Sequence, residues 1–113
     1  MEELEKSLKA LADKNRLRIL KLLEVRKMCV CELAFVLGIT QPSVSKHLKK
    51  LSSAGIVESE QDRFWTNYYL RNDNESLKML LLCFKKHLSS NVIVKEDQEK
   101  LKRVNRTRLC CKK

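Results

Sequence analysis

The sequence predicts a mainly α-helical single domain that carries one small β-hairpin. Three observations predict it. Gly and Pro are scarce, 2 and 1 in 113 residues, which disfavours the turn-rich sandwiches and barrels as well as Gly-rich phosphate loops. Apolar residues recur at helical spacing through most of the chain. All of the Trp and Tyr lie in one short stretch, residues 64–70, preceded by a second strand-like run at 56–60. A chain of this length closes around one hydrophobic core, and 34% charged with 43% hydrophobic residues suits a helical soluble domain.

Taken in order, residues 2–12 place Leu4, Leu8, Leu11 and Ala12 on one stripe, an amphipathic helix. Asp13-Lys14-Asn15 interrupts it, and Asp13 or Asn15 is placed to cap a second, greasier helix over residues 16–26. The exposed side of that helix is basic, with Arg16, Arg18 and Lys21. Residues 29–37, CVCELAFVL, form a short apolar helix ended by Gly38, which suits a left-handed C-terminal cap. Thr40 caps the next helix, residues 41–54, and Pro42 fits its first turn, where a missing N–H costs little. This helix buries Val44, Leu48 and Leu51, shows Ser43, Lys46, His47 and Lys50, and closes at Gly55. Residues 56–60 and 64–70 are two strands, with 61–63 as their turn. After a break at 72–74, residues 75–89 form a long helix with Leu77, Leu80, Leu81, Phe84 and Leu88 on one face. Met79, Leu82 and Cys83 widen its apolar arc, so it needs cover on two sides, by its own domain and by a second subunit. The expected organisation is a domain over residues 1–90 and a basic, partly flexible tail over 91–113, helical in part around 97–104.

The formal charge is +10, a large excess for this length, and half of it lies in residues 95–113. Such an excess points to a polyanionic partner, nucleic acid before a membrane surface. No apolar run approaches the roughly 18 residues of a membrane span. The opening MEELEKSLKA has no signal-peptide core, so the expected location is the cytoplasm, where thiols stay reduced.

Two short helices joined through Gly38 and followed by a hairpin make a winged helix-turn-helix: four helices, two strands and a fifth helix. A helix roughly 10–12 Å wide fits a B-DNA major groove of about 12 Å if its outward side chains are short and polar or basic. Gln41, Ser43, Ser45, Lys46 and His47 meet that requirement. Lys49, Lys50 and, at the wing tip, Arg63 suit phosphates, which position a protein without specifying sequence. Trp65, Tyr68 and Tyr69 read as packing residues of the wing and core, since a stacking platform needs more strands.

Residues 13–23 (DKNRLRILKLL), 29–33 (CVCEL) and 41–51 (QPSVSKHLKKL) closely resemble the ArsR/SmtB family of metalloregulatory repressors. The likeness covers about residues 2–90. It implies a homodimeric winged-helix repressor that binds an operator upstream of resistance genes and releases it when a toxic metal or metalloid binds. The Cys-Val-Cys-Glu-Leu segment is similar to the sensor box of the arsenic and cadmium/lead branches. A third cysteine of the arsenic box would fall at Ala34, and the amino-terminal cysteines typical of the cadmium/lead branch are missing. Asp73-Asn74-Glu75 does not supply the Asp-x-His pair of the zinc-type site on the last helix.

Read on their own chemistry, five cysteines in a reduced compartment are metal ligands or core residues rather than disulfides. Thiolates select soft ions. Cys29 and Cys31 sit at the amino end of a helix, where free N–H groups and the dipole favour the thiolate. Positions i and i+2 of a regular helix point nearly opposite ways, so one ion can join them only if Cys29 lies at or before the cap. Two thiolates are too few for a tight arsenite or zinc site. The vicinal pair Cys110-Cys111 supplies a third ligand, from its own chain or the partner's, or forms a separate site. Cys83 reads as a small core hydrophobe, and His87 as an interface or exposed residue.

The function expected is therefore an As(III)- or Sb(III)-responsive repressor, dimeric through the N-terminal helix and the 75–89 helix. Cd(II), Pb(II) or Zn(II) in the same cycle is the nearest alternative, followed by a thiol redox switch, which strained adjacent-residue disulfides disfavour. A small thiol-dependent reductase lacks its parts: there is no Gly-rich nucleotide loop and no anion-cradling loop between the cysteines. A metallochaperone or simple basic binding protein would show no preference for an operator.

Overall fold

The structure, a computed structural model, describes residues 1–104. In chain order its elements are α1 (Glu2–Leu11), α2 (Lys14–Val25), α3 (Val30–Leu37), α4 (Gln41–Ser53), β1 (Val57–Asp62), β2 (Trp65–Leu70), α5 (Glu75–Leu88) and α6 (Val92–Leu101). Four helices begin where the sequence supplies a side-chain acceptor for an N–H that has no partner within the helix. Asp13 Oδ2 accepts from the Arg16 amide at 3.0 Å, Thr40 Oγ1 from Ser43 at 3.2 Å, and Asn74 Oδ1 from Leu77 at 2.9 Å. Asn91 Oδ1 accepts from both Ile93 and Val94, at 2.9 and 3.2 Å. Gly38 closes α3 at φ 72°, a left-handed conformation that costs glycine little.

β1 and β2 pair antiparallel from Val57 opposite Leu70 to Asp62 opposite Trp65. The turn is therefore Arg63-Phe64, shorter than the 61–63 turn expected, and Arg63 takes a left-handed φ of 58°. Gln61 and Asp62 have partners across the ladder, and those pairings win over their turn tendency. Met28 adds a third short line to this sheet. It exchanges both backbone hydrogen bonds with Tyr68, at 3.1 and 2.7 Å.

The core is drawn from α2, α3, α4, the hairpin and the start of α5, with Ile19, Leu20, Leu33, Val44, Leu51, Ile56 and Leu77 closed to solvent. The buried line of α1 is Ser7, Ala10 and Leu11, rotated from the expected stripe: Leu4 is half-buried, Leu8 is 48% exposed and Ala12 is exposed. α5 buries only Leu77 fully. Leu80, Leu81 and Phe84 lean on the core, whereas Met79 and Leu82 stand open. Cys83 is exposed, which corrects its reading as a core residue, because it shares the outward side of α5 with Leu82.

The segment after residue 90 opens with α6, which begins earlier than the helix expected around 97–104 and packs on α2 and α3. Its buried residues are Val94, Asp97 and Leu101. Asp97, almost fully buried, receives Arg18 Nε at 2.9 Å and Nη2 at 2.8 Å. Lys100 Nζ sits 5.0 Å over the Phe35 ring, and Leu101 enters the core. Among the described residues no helix is long and apolar enough to cross a membrane.

Candidate nucleic-acid interface and thiol site

α4 packs on the core through Val44, Leu48 and Leu51 and leaves Gln41, Ser45, Lys46, Lys49 and Lys50 exposed, with Ser43 half-buried. On one flank it meets the wing across a shallow groove lined by Ser45, Lys49, Ser52, Ser59 and Tyr68. This side of α4 is rich in hydroxyls and carries one cation, Lys49, among its lining residues. The strand alternation of β1 carries it onward: residues two apart share a face, so Gln61 lies with Ser59, and Glu58, Glu60 and Asp62 lie on the reverse. Strand periodicity is the signal that would have added Ser59 and Gln61 to the expected interface.

Lys27 from the linker, Tyr69 of β2 and Arg71 just after it hold the acidic reverse face. Lys27 Nζ reaches Glu60 at 2.8 Å, and this carboxylate raises the lysine's pKa. Tyr69 donates its hydroxyl to Glu58 at 3.2 Å, and Arg71 lies 3.7 Å from the same carboxylate. At the tip, Gln61 donates to the Arg63 carbonyl at 3.1 Å and accepts from Thr66 at 2.9 Å, leaving the Arg63 side chain exposed. Tyr68 packs against the core, as the sequence suggests.

His47 does not join the lysines. It is half-buried, with Nδ1 3.4 Å from Arg16 Nη1 and 3.9 Å from Asp13 Oδ2. Burial opposes the charge on Asp13, but the Arg16 amide, the Arg16 guanidinium and His47 outweigh it and hold this carboxyl below its ordinary value of 3.8.

Cys29 is the N-cap of α3 and is buried; Cys31 follows in the first turn, half-buried. The cap backbone is extended, at φ −93° and ψ 171°, so the opposition of i and i+2 in a regular helix does not apply to this pair. Glu32, buried beneath them, accepts the Cys29 amide at 3.0 Å and Arg26 Nη2 at 3.1 Å. The linker is thus tied at every residue: Arg26 to Glu32, Lys27 to Glu60 and over the Tyr69 ring at 5.2 Å, Met28 to Tyr68, and Cys29 to Glu32. Among the described residues no three His, Cys, Asp or Glu converge on a metal position. Cys110 and Cys111 lie outside the described residues. The described chain ends at Val104, in a groove that it shares with Val25 and Arg26.

A helix-turn-helix braced by a hairpin, with a polar and basic outer face, defines a winged-helix DNA-binding transcriptional regulator and not an enzyme. The family profile of bacterial regulatory proteins of the arsR family matches residues 13–59. An uncharacterised HTH-type transcriptional regulator of Methanocaldococcus jannaschii is 44% identical over 77 residues, covering 65% of this chain and 86% of that protein. The arsenical resistance operon repressor of Bacillus subtilis is 40% identical over 76 residues, or 66% of this chain and 71% of that one. A homodimeric winged helix-turn-helix DNA-binding domain of Mycobacterium bovis, a possible ArsR-family regulator, superposes with a TM-score of 0.66 at 25% identity, over 80% of this chain and 86% of that domain. The chain belongs to the ArsR family.

Proposed function

We propose that this ArsR-family repressor is a cytoplasmic homodimer that holds its operator through α4 and the wing and releases it on capturing As(III) or Sb(III). Gln41, Ser43, Ser45, Lys46 and His47 face or support the reading of base edges, and Lys49, Lys50 and Arg63 take phosphates. The dimer forms through α1 and the open side of α5. Cys29, Cys31 and one of Cys110 and Cys111 provide the thiolates, a donor set for soft, thiophilic ions.

The observation that carries this reading is the placement of Cys29. It caps α3, the first helix of the reading pair, and ends a linker whose preceding residue is hydrogen-bonded to the wing. Drawing Cys29 and Cys31 onto a common ion acts on α3 and on the wing at once, and shifting the grip on DNA needs a coupling of only about 1–3 kcal/mol. The chain leaves Val104 beside Arg26, whose partner Glu32 caps Cys29.

Operator release by a panel of As(III), Sb(III), Cd(II), Pb(II), Zn(II) and peroxide tests the proposal on three proteins: wild type, Cys29→Ser/Cys31→Ser, and a truncation before Cys110. Release of the wild type by As(III) or Sb(III), lost in both variants, is expected. Release unchanged in both variants places the sensor elsewhere. Release by Cd(II), Pb(II) or Zn(II) alone moves the chain to that branch, and release by peroxide alone makes the thiols a redox switch.

A further inference from the structure

On the flank of α4 away from the wing, a second groove runs between α4 and α1, with a volume of about 690 Å³. Its charged lining is all cationic: Lys6 and Lys9 from α1, Arg16 from α2, and Lys46, Lys49 and Lys50 from α4, with no carboxylate among the lining residues. The groove has a fixed shape. Arg16 Nε donates to the Ala10 carbonyl in the last turn of α1, and its Nη1 meets His47 of α4, so one guanidinium pins the two helices together. Lys49 lines both grooves, so α4 carries a hydroxyl-rich strip with a single lysine toward the wing and a strip of three lysines toward α1, and α1 continues the cationic strip onto a second element.

We infer that this groove is a track for the DNA phosphate backbone and that Lys6 and Lys9 make α1 a DNA-contacting helix. The inference rests on the DNA-binding reading and extends it to an element outside the helix-turn-helix and wing. Cations brought together with no carboxylate among the lining residues repel one another, and a line of phosphates is the partner that relieves the repulsion while lying alongside the hydroxyl-rich strip. Two acids lie nearby: Asp13, which accepts from the Arg16 amide at 3.0 Å, and Glu5, 3.4 Å from Lys9 in a pair whose side chains are 61% and 79% exposed. Such a pair is weak and yields readily to a phosphate. The sequence hides the track because acidic Glu2, Glu3 and Glu5 make the start of α1 look unsuited to DNA.

Phosphate contacts are sequence-independent, so a mixed-sequence 30-base-pair duplex is a sufficient probe. Its affinity is measured by fluorescence anisotropy between 50 and 200 mM NaCl. Lys6→Ala/Lys9→Ala is expected to lower the magnitude of the log K against log salt slope by about 1.8 per bound subunit, so the wild-type advantage shrinks about 12-fold across that range. Glu5→Gln is expected to raise affinity at low salt, and Lys95→Ala, an exposed lysine on α6, leaves the slope unchanged. The α1 lysines are exposed in the single chain, and an unchanged melting temperature and sedimentation coefficient verify that the variants fold and keep the assembly state of the wild type. A wild-type slope in Lys6→Ala/Lys9→Ala, with a reduced slope in Lys49→Ala/Lys50→Ala, overturns the role of α1 and leaves DNA binding through α4 intact. A wild-type protein with no salt-dependent affinity for the duplex overturns the DNA-binding reading and the α1 track together.

Discussion

Met28 and Tyr68, forty positions apart, exchange both backbone hydrogen bonds, so the residue before Cys29 is part of the wing sheet. Buried backbone groups that leave such a pairing must find new partners, which makes the bridge a stiff link between the linker and the wing. Hydrogen exchange followed by NMR reads this link directly. The Tyr68 and Met28 amides are expected to be protected together in the free protein. On addition of As(III), protection at Tyr68 should change more than at Val44 in the middle of α4. Operator release with no change at Tyr68 would exclude the wing as the route.

Arg18 and Asp97 meet in a fork whose side chains are 17% and 6% exposed, and Arg18 also donates to Asn15 and to the Leu37 carbonyl at the end of α3. The hydrogen bonds that Arg18 donates to Asp97 raise the arginine's pKa and hold the guanidinium in its charged form. Asp97→Ala leaves a partly buried guanidinium unpaired and is expected to cost about 3 kcal/mol in urea unfolding. Arg18→Met/Asp97→Leu, which removes both charges, should recover most of that loss. A cost below about 0.5 kcal/mol for Asp97→Ala, the range of an ordinary surface change, would mean that α6 is held without the pair.

Asp13 caps α2 and is stabilised as a carboxylate, with a folded pKa below 3.8. Asp13→Ala is expected to cost about 1 kcal/mol at neutral pH, the usual loss of a helix cap. The sign of the pH effect follows from the lowered value. The contribution is present above 3.8 and fades as pH falls through the folded pKa, so wild type and variant should converge in acid. Thermal melts of the two proteins from pH 7 to pH 3 measure the gap, and a gap that widens in acid would contradict this account.

Met79 and Leu82 are 56% and 75% exposed on a helix whose Leu77, Leu80, Leu81 and Phe84 pack into or against the core. In water, such a face is covered by a second copy in the proposed dimer. Leu82→Asp is expected to give a monomer by sedimentation and to weaken operator binding, because a lone subunit holds only one half-site. A variant that remains dimeric would move the interface off this side of α5.

The elements that local chemistry specifies were readable in advance, and residues explain why. Asp13, Thr40 and Gly38 act on backbone groups within a few positions of themselves, so their caps and turns follow from composition and order. The burial of Val44, Leu48 and Leu51 follows from helical period, and with it the outward face of α4. The site was legible only in part. Cys29 and Cys31 announce themselves by spacing, but the ties of Arg26, Lys27 and Met28 join residues far apart in sequence.

Periodicity and capping alone determine a helix-turn-helix with a hairpin wing and a polar, basic reading face, because each rests on interactions a few residues long. Tertiary structure decided the rest. It turned α1 so that Ser7 and Ala10 face inward, docked α6 on a buried charge pair, and turned His47 toward Asp13 and Arg16. It also set Lys6 and Lys9 beside the lysines of α4. The physical reason is range: a hydrogen bond or an ion pair depends on distance in space, and only the packed core brings residues so far apart along the chain within a few ångströms of one another.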